Sequence, residues 1–208
     1  MNLPNQDQIR ELQIYYRVPP NILEHTATVK ETVLYLAREL NKVGGDYDLE
    51  LLAAAADLHD IGKAVTLEKL PLERVQELGL PVLADEDYEF WAEERKKFPS
   101  SYRHADIAAE IMKDYPEVAE VVGNHTPRHI LNEGLSKGAI LLNYADKISA
   151  TKVITLEERF AYFVDRYRNE ENEESKRIFA RYKEIEADIF NRLGFPAEEL
   201  GERMKNGQ

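Results

Sequence analysis

Five histidines (His25, His59, His104, His125 and His129) and two aspartates (Asp60 and Asp146) are the residues of this 208-residue chain whose types and settings point to chemistry. A single histidine on an apolar helix face is ordinarily a satisfied core residue. That reading weakens when inward-facing carboxylates accompany several of them. His59 and Asp60 are adjacent at the end of an alanine-rich stretch, just before Gly62. Asp146 interrupts the apolar run GAILLNYADKISA, where an unpaired carboxylate would be costly. Lys63, Lys147, Arg103 and a metal ion are the candidates for compensating positive charge. A cation held by imidazole and carboxylate accounts for all of these placements at once.

The elements that must position these groups read as helices. From Pro20 to Val43 the apolar residues Ile22, Val29, Val33, Leu36, Leu40 and Val43 recur at steps of three or four, apart from one gap of seven that His25 fills. His25 therefore points inward, and Gly44 and Gly45 stop the helix. A second helix is expected from about Leu49 through ELLAAAADLHDIGK, ended by Gly62. Pro71, Gly79 and Pro81 break the segment from Leu67 to Asp87 into short helical pieces and loops. A helix over about Glu86–Lys97 ends before Pro99, and Ser100 or Ser101 caps the next, which stops at Pro116. A short helix leads from Pro116 to Asn124, and Pro127 suits a first helical turn. Ser136 to Thr151 reads as an apolar helix with Leu142, Asp146 and Ser149 on one face. In the tail, Leu156, Phe160, Phe163 and Tyr167, then Ile178, Tyr182, Ile185 and Ile189, keep the same period across the charged patch RNEENEESKR. This is one long helix or two antiparallel ones. No segment alternates like a strand, so the expected fold class is all-α. We expect a single domain over 1–208, with a core at about 20–151 and a helical C-terminal extension at 152–208.

Composition narrows the function. There is no cysteine, which removes disulfides, thiolate catalysis, zinc fingers and iron–sulfur clusters and suits a reducing cytoplasm. Lys and Arg number 27 against 39 Asp and Glu, a net charge of −12. So acidic a surface repels long nucleic acid and anionic membrane, but a site with its own positive charge can still take a small phosphate ester. The N-terminal MNLPNQDQIRELQ lacks an apolar run of signal-peptide length, and a cytoplasmic location is expected.

The order His25, His59-Asp60 and Asp146, with the central pair written LHDIGK, resembles the HD superfamily of metal-dependent phosphohydrolases. The resemblance covers about Ile22 to Ser149. His104 and His125, falling between Asp60 and Asp146, match the extra histidines of its two-metal subset. The resemblance implies an HD-domain helical bundle in which His25, His59, Asp60 and Asp146 hold one metal and His104 and His125 a second, Asp60 bridging. A bridging place suits a carboxylate, because two oxygens can serve two cations and a neutral imidazole cannot. Mixed nitrogen and oxygen donors favour iron or manganese, with zinc, cobalt, nickel or magnesium as alternatives. Within the subset the chain is similar to small hydrolases of dinucleoside tetraphosphates, although it departs from them around His104 and in the TPRH after His125. The cyclic di-GMP phosphodiesterases of HD-GYP type share the ligand order, but TPRHILNEG contains no GYP.

The expected activity is hydrolysis of a phosphoester or phosphoanhydride bond in a small nucleotide, with Asp60, Lys63 and His129 as catalytic residues. Lys63, one turn after Asp60, would meet a phosphate oxygen; its bland alternative is a solvated helix-end lysine. Arg128 would bind a second phosphate and His129 would protonate the leaving oxygen, against the alternative of an ordinary surface loop. Arg103, Thr126, Asn143 and Lys147 sit beside ligands, but surface or capping roles are preferred for each. The helix bearing Trp91 is a candidate for the rim of the site. The tail helices suggest a partner, most simply a second copy of the chain. The alternatives in function are a non-catalytic metal or nucleotide sensor and a single-metal 5′-nucleotidase.

Overall fold

The computed structural model describes residues 2–167 and 172–207, the side chains of 163–167 excepted. The described residues fold into helices joined by short loops: α1 Gln6–Tyr15, α2 Pro20–Lys42, α3 Leu49–Leu58, α4 Ile61–Ala64, α5 Leu72–Glu77, α6 Asp85–Arg95, α7 His104–Ile111, α8 Pro116–Gly123, α9 Lys137–Lys147, α10 Leu156–Tyr167, α11 Glu173–Leu193 and α12 Leu200–Asn206. Short 3₁₀ turns occupy Pro127–Leu131 and Ala197–Glu199. The only extended pairing described is a lone bridge between Ser149 and Val153. The fold is all-α. No described helix is long and apolar enough to cross a membrane.

Most of the stripe expected on α2 is buried: Ile22, Val29, Val33, Leu36 and Leu40 lie in the core, whereas Val43 falls just past the helix end and is exposed. The helix ends at Lys42, and Gly44 follows with φ +88°, a left-handed conformation that glycine adopts without strain. Asp48 caps α3 by accepting from the backbone N–H groups of Glu50 and Leu51. Ala54, Ala55 and Ala56 are buried, and these small side chains let α3 lie close to α2, α8 and α9. α9 is buried on every side from Gly138 to Lys147 except at Ile140, as a helix at the centre of a bundle must be.

Several boundaries differ from expectation, each for a local reason. The second helix does not run to Gly62. It stops at Leu58, and Asp60, at φ −101° and ψ 7°, turns the chain into α4. Gly62 lies inside α4, where a Cβ would fall 2.0 Å from the carbonyl oxygen of His104. It is a close-packing residue between α4 and α7, not a stop. Neither Ser100 nor Ser101 caps α7: the cap is Arg103, whose backbone N–H donates to Asp106 at 2.8 Å. α9 ends at Lys147, short of Thr151, and Ser149 leaves it to donate its hydroxyl to Thr32. Trp91 is a core residue, not a rim one. It is buried, donates its indole N–H to the Tyr16 carbonyl at 2.7 Å and meets Tyr88 edge-on.

The tail folds as two antiparallel helices. Phe160 of α10 meets Phe179 and Tyr182 of α11, and Glu157, one turn earlier, pairs with Lys183, further along α11. Part of the charged patch, 168–171, and the side chains of Phe163 and Tyr167 lie outside the described residues. α11 joins the same hydrophobic core as α2 and α9 through Ile178, Tyr182, Ile185, Ile189 and Phe190.

Candidate metal centre

α2, α3, α7 and α9, with the turn before α4 and the loop after α8, bring six side chains to one place. His25 projects from the second turn of α2. His59 and Asp60 occupy the break between α3 and α4, His104 is the first residue of α7, His125 follows α8, and Asp146 lies in the last turn of α9. His59, Asp60, His125 and Asp146 are buried, and His25 retains partial exposure.

The donor atoms fall into two groups that share Asp60. Asp60 Oδ2 lies 3.6 Å from His25 Nε2 and 3.6 Å from His59 Nε2. Asp146 Oδ1 completes that group at 2.9 Å from His25 Nε2 and 3.8 Å from His59 Nε2. Asp60 Oδ1 faces the other way, 3.3 Å from His125 Nε2, which lies 3.1 Å from His104 Nε2. His25, His59 and Asp60 each offer an atom within 4.8 Å of the others, as do Asp60, His104 and His125.

Two of the imidazoles are held in the tautomer a metal needs. His59 Nδ1 donates to the Ala56 carbonyl at 2.8 Å, and His125 Nδ1 donates to the Val122 carbonyl at 2.5 Å. Each carbonyl belongs to the last turn of the preceding helix. With the proton on Nδ1, the Nε2 lone pair points into the cluster. There, His59 Nε2 and Asp60 Oδ1 are buried without a hydrogen-bond partner. Leaving such an atom unmet costs about 1–3 kcal/mol, and a cation between these groups would satisfy both. The residues present fit a metal pair.

Charge supports the same reading. Burial opposes ionisation of Asp60, but Lys63 and His59 outweigh it and hold the carboxyl well below its usual range. Burial likewise opposes Asp146, and Lys147 with His25 overcomes it. Burial and the neighbouring His125 push His104 down to about 3, and burial also lowers His125, so both rings stay neutral. His59 is drawn upward, its burial outweighed by Asp60 and Asp146. A cation on those carboxylates would replace the proton they attract.

Lys63 Nζ donates to Asp60 Oδ2 at 2.5 Å while 41% of its side chain stays exposed. The other expected substrate contacts sit further out. Arg128 is exposed and bonded to Glu174 of α11, Nε to Oε1 at 2.9 Å and Nη2 to Oε2 at 3.1 Å. His129 is half-buried, its Nδ1 3.2 Å from the hydroxyl of Thr126, which precedes its 3₁₀ turn. Asn143 and Lys147 depart from the surface or capping roles expected of them, because both are buried. Lys147 donates to Asp146. Asn143 Nδ2 donates to the carbonyls of Asn124 at 2.6 Å and Thr126 at 3.0 Å, and its Oδ1 accepts from the Tyr182 hydroxyl. Arg159 of α10 adds positive charge that opposes protonation of both Lys63 and Lys147. A lysine after an aspartate at a helix end looks solvated in sequence, and only the need to compensate Asp146 pointed to Lys147. Asn143 did carry a signal, a polar residue one turn before Asp146 on an apolar helix.

Comparison with curated proteins and with solved structures gives no match. The family model described as HD domain matches residues 22–170, which hold all six donors and end just before α11. The chain therefore belongs to the HD domain family, within the superfamily of metal-dependent phosphohydrolases.

Proposed function

We propose that the chain is a two-metal phosphohydrolase of the cytoplasm that cleaves a phosphoester or phosphoanhydride bond of a small nucleotide, with a dinucleoside polyphosphate as the leading candidate. The observation that carries this reading is Asp60, whose two oxygens face two different sets of imidazoles. His25, His59, Asp60 and Asp146 would hold one ion, and Asp60, His104 and His125 the other. Iron or manganese suits this thiolate-free set of nitrogen and oxygen donors. When bound, such a pair lowers the pKa of a water and neutralises charge on a phosphoryl oxygen.

The chain's own residues do the rest. Lys147 keeps Asp146 ionised from within the core. Lys63 anchors Asp60 and, being partly exposed, can turn its ammonium to a phosphoryl oxygen as charge builds there. His129, in the Pro127–Leu131 turn, is the proposed proton donor to the leaving oxygen. Arg128 reaches a second phosphate by giving up Glu174. That exchange costs about 1 kcal/mol or less, since both partners are exposed. The net charge of −12 favours small substrates over polymers.

The test is phosphate release from mono-, di- and cyclic nucleotides and dinucleoside polyphosphates, with manganese, iron, cobalt or magnesium, with and without chelator. The expected result is chelator-sensitive release from a dinucleoside polyphosphate. Two bound ions without release from any phosphate ester would replace the hydrolase with a sensor. One bound ion with release from a deoxynucleoside monophosphate would indicate a 5′-nucleotidase.

A further inference from the structure

Asn143 is buried and fully used. Its amide N–H groups hold the carbonyls of Asn124 and Thr126, the two residues that flank His125, and its oxygen accepts from Tyr182. A primary amide has two donors, and both are committed to the His125 loop. Its acceptor is the one handle by which a neighbouring element can fix the amide plane, and Tyr182 takes it. Tyr182 is itself fully buried, packed edge-on against Phe160. The same loop is tied to α11 a second time, through Arg128 and Glu174. The hydrogen bonds of His25, His59 and Asp146 run instead within their own group, to α3 and to Lys147.

We propose that Tyr182 is a positioning residue for the second ion: through Asn143 it sets the backbone on both sides of His125, so a helix beyond the family's matched region controls occupancy of the His104–His125 half of the site. The inference rests on the two-metal reading above. α9 supplies Asp146 to the first group and, one turn earlier, Asn143 to the loop behind the second. The phenol hydroxyl keeps the amide from rotating, and the amide keeps His125 Nε2 aimed at Asp60 Oδ1. Removing the hydroxyl leaves the amide oxygen buried and unmet, and the loop then gains freedom to swing His125 away.

The test titrates metal-stripped protein with Mn²⁺ by calorimetry and counts bound ions by elemental analysis, for the wild type and for Tyr182→Phe, His104→Ala and Ile185→Ala. The wild type should bind two ions, and His104→Ala one. Tyr182→Phe should keep the first ion at wild-type affinity and bind the second about tenfold more weakly, the lower end of what losing an outer partner of a metal ligand costs. Ile185→Ala, a packing variant of the same helix, should lower the melting temperature without that selective loss. Wild-type binding of both ions by Tyr182→Phe overturns the inference and leaves the two-metal reading standing. Equal weakening of both ions, following stability as in Ile185→Ala, also overturns it. A wild type that binds fewer than two ions removes the two-metal reading, and the inference with it. Should Tyr182→Phe not fold, Asn143→Ser provides the same comparison, with the same selective loss expected and unaltered binding of the second ion overturning the inference.

Discussion

The two halves of the candidate centre are built differently. The first takes His25 from within α2, His59 and Asp60 from the break after α3, and Asp146 from the last turn of α9, all elements of the main core. The second takes His104 from the start of α7 and His125 from a loop, and it relies on borrowed contacts. α7 is drawn in where Gly62 meets the His104 carbonyl, and the loop is tied by Asn143. The first group draws four donors from α2, the break after α3 and α9. The second also leans on core helices α7 and α8, but its His125 lies in a loop whose backbone is held by the Asn143 amide. With four protein donors against three, the first ion is expected to bind more tightly than the second.

Asp60→Ala removes the residue common to both halves, so the contrast should vanish. Both ions should bind poorly, and turnover should fall by roughly 10³-fold or more, the scale of losing transition-state charge stabilisation. Circular dichroism should show the helices intact. His104→Ala should sharpen the contrast, with one ion retained out of two by elemental analysis; retention of both with an unchanged rate would end the two-metal assignment.

Gly62→Ala acts through packing. The added methyl must push α7 away from α4, costing about 3 kcal/mol in urea unfolding and weakening the second ion more than the first. Glu174→Ala should have the smallest effect. Loss of this exposed pair should change stability by less than about 1 kcal/mol and leave both ion affinities unaltered. If Arg128 meets the substrate, the variant should also lower KM, since the arginine no longer has to leave a partner.

Four of the six donors were legible in the sequence because each breaks a local rule, whereas His104 and His125 were legible only through the resemblance to the two-metal subset. His25 sits in a gap of the α2 stripe, His59 and Asp60 close an alanine-rich helix, and Asp146 interrupts an apolar run. The helical class was legible from the same periodicities. What supports the donors was not. Tyr182 reads as one more apolar position of an amphipathic helix, and only the docking of α11 on α9 brings its hydroxyl to a residue 39 positions earlier. The early end of α3 was hidden for a related reason. His59 and Asp60 are compatible with a helix locally, and the turn there is decided by where their side chains must go.

His59 and His125 both follow a helix that has just stopped, and both donate the ring Nδ1–H to a carbonyl of its final turn. Such carbonyls lack amide partners because no further turn exists to supply them. Extending α3 or α8 by one turn would return those oxygens to the backbone and free each imidazole to carry its proton on the inward nitrogen. Where these two helices terminate thus governs which way the rings are wired. An insertion there should do far more harm than one of equal length in the 66–71 connection.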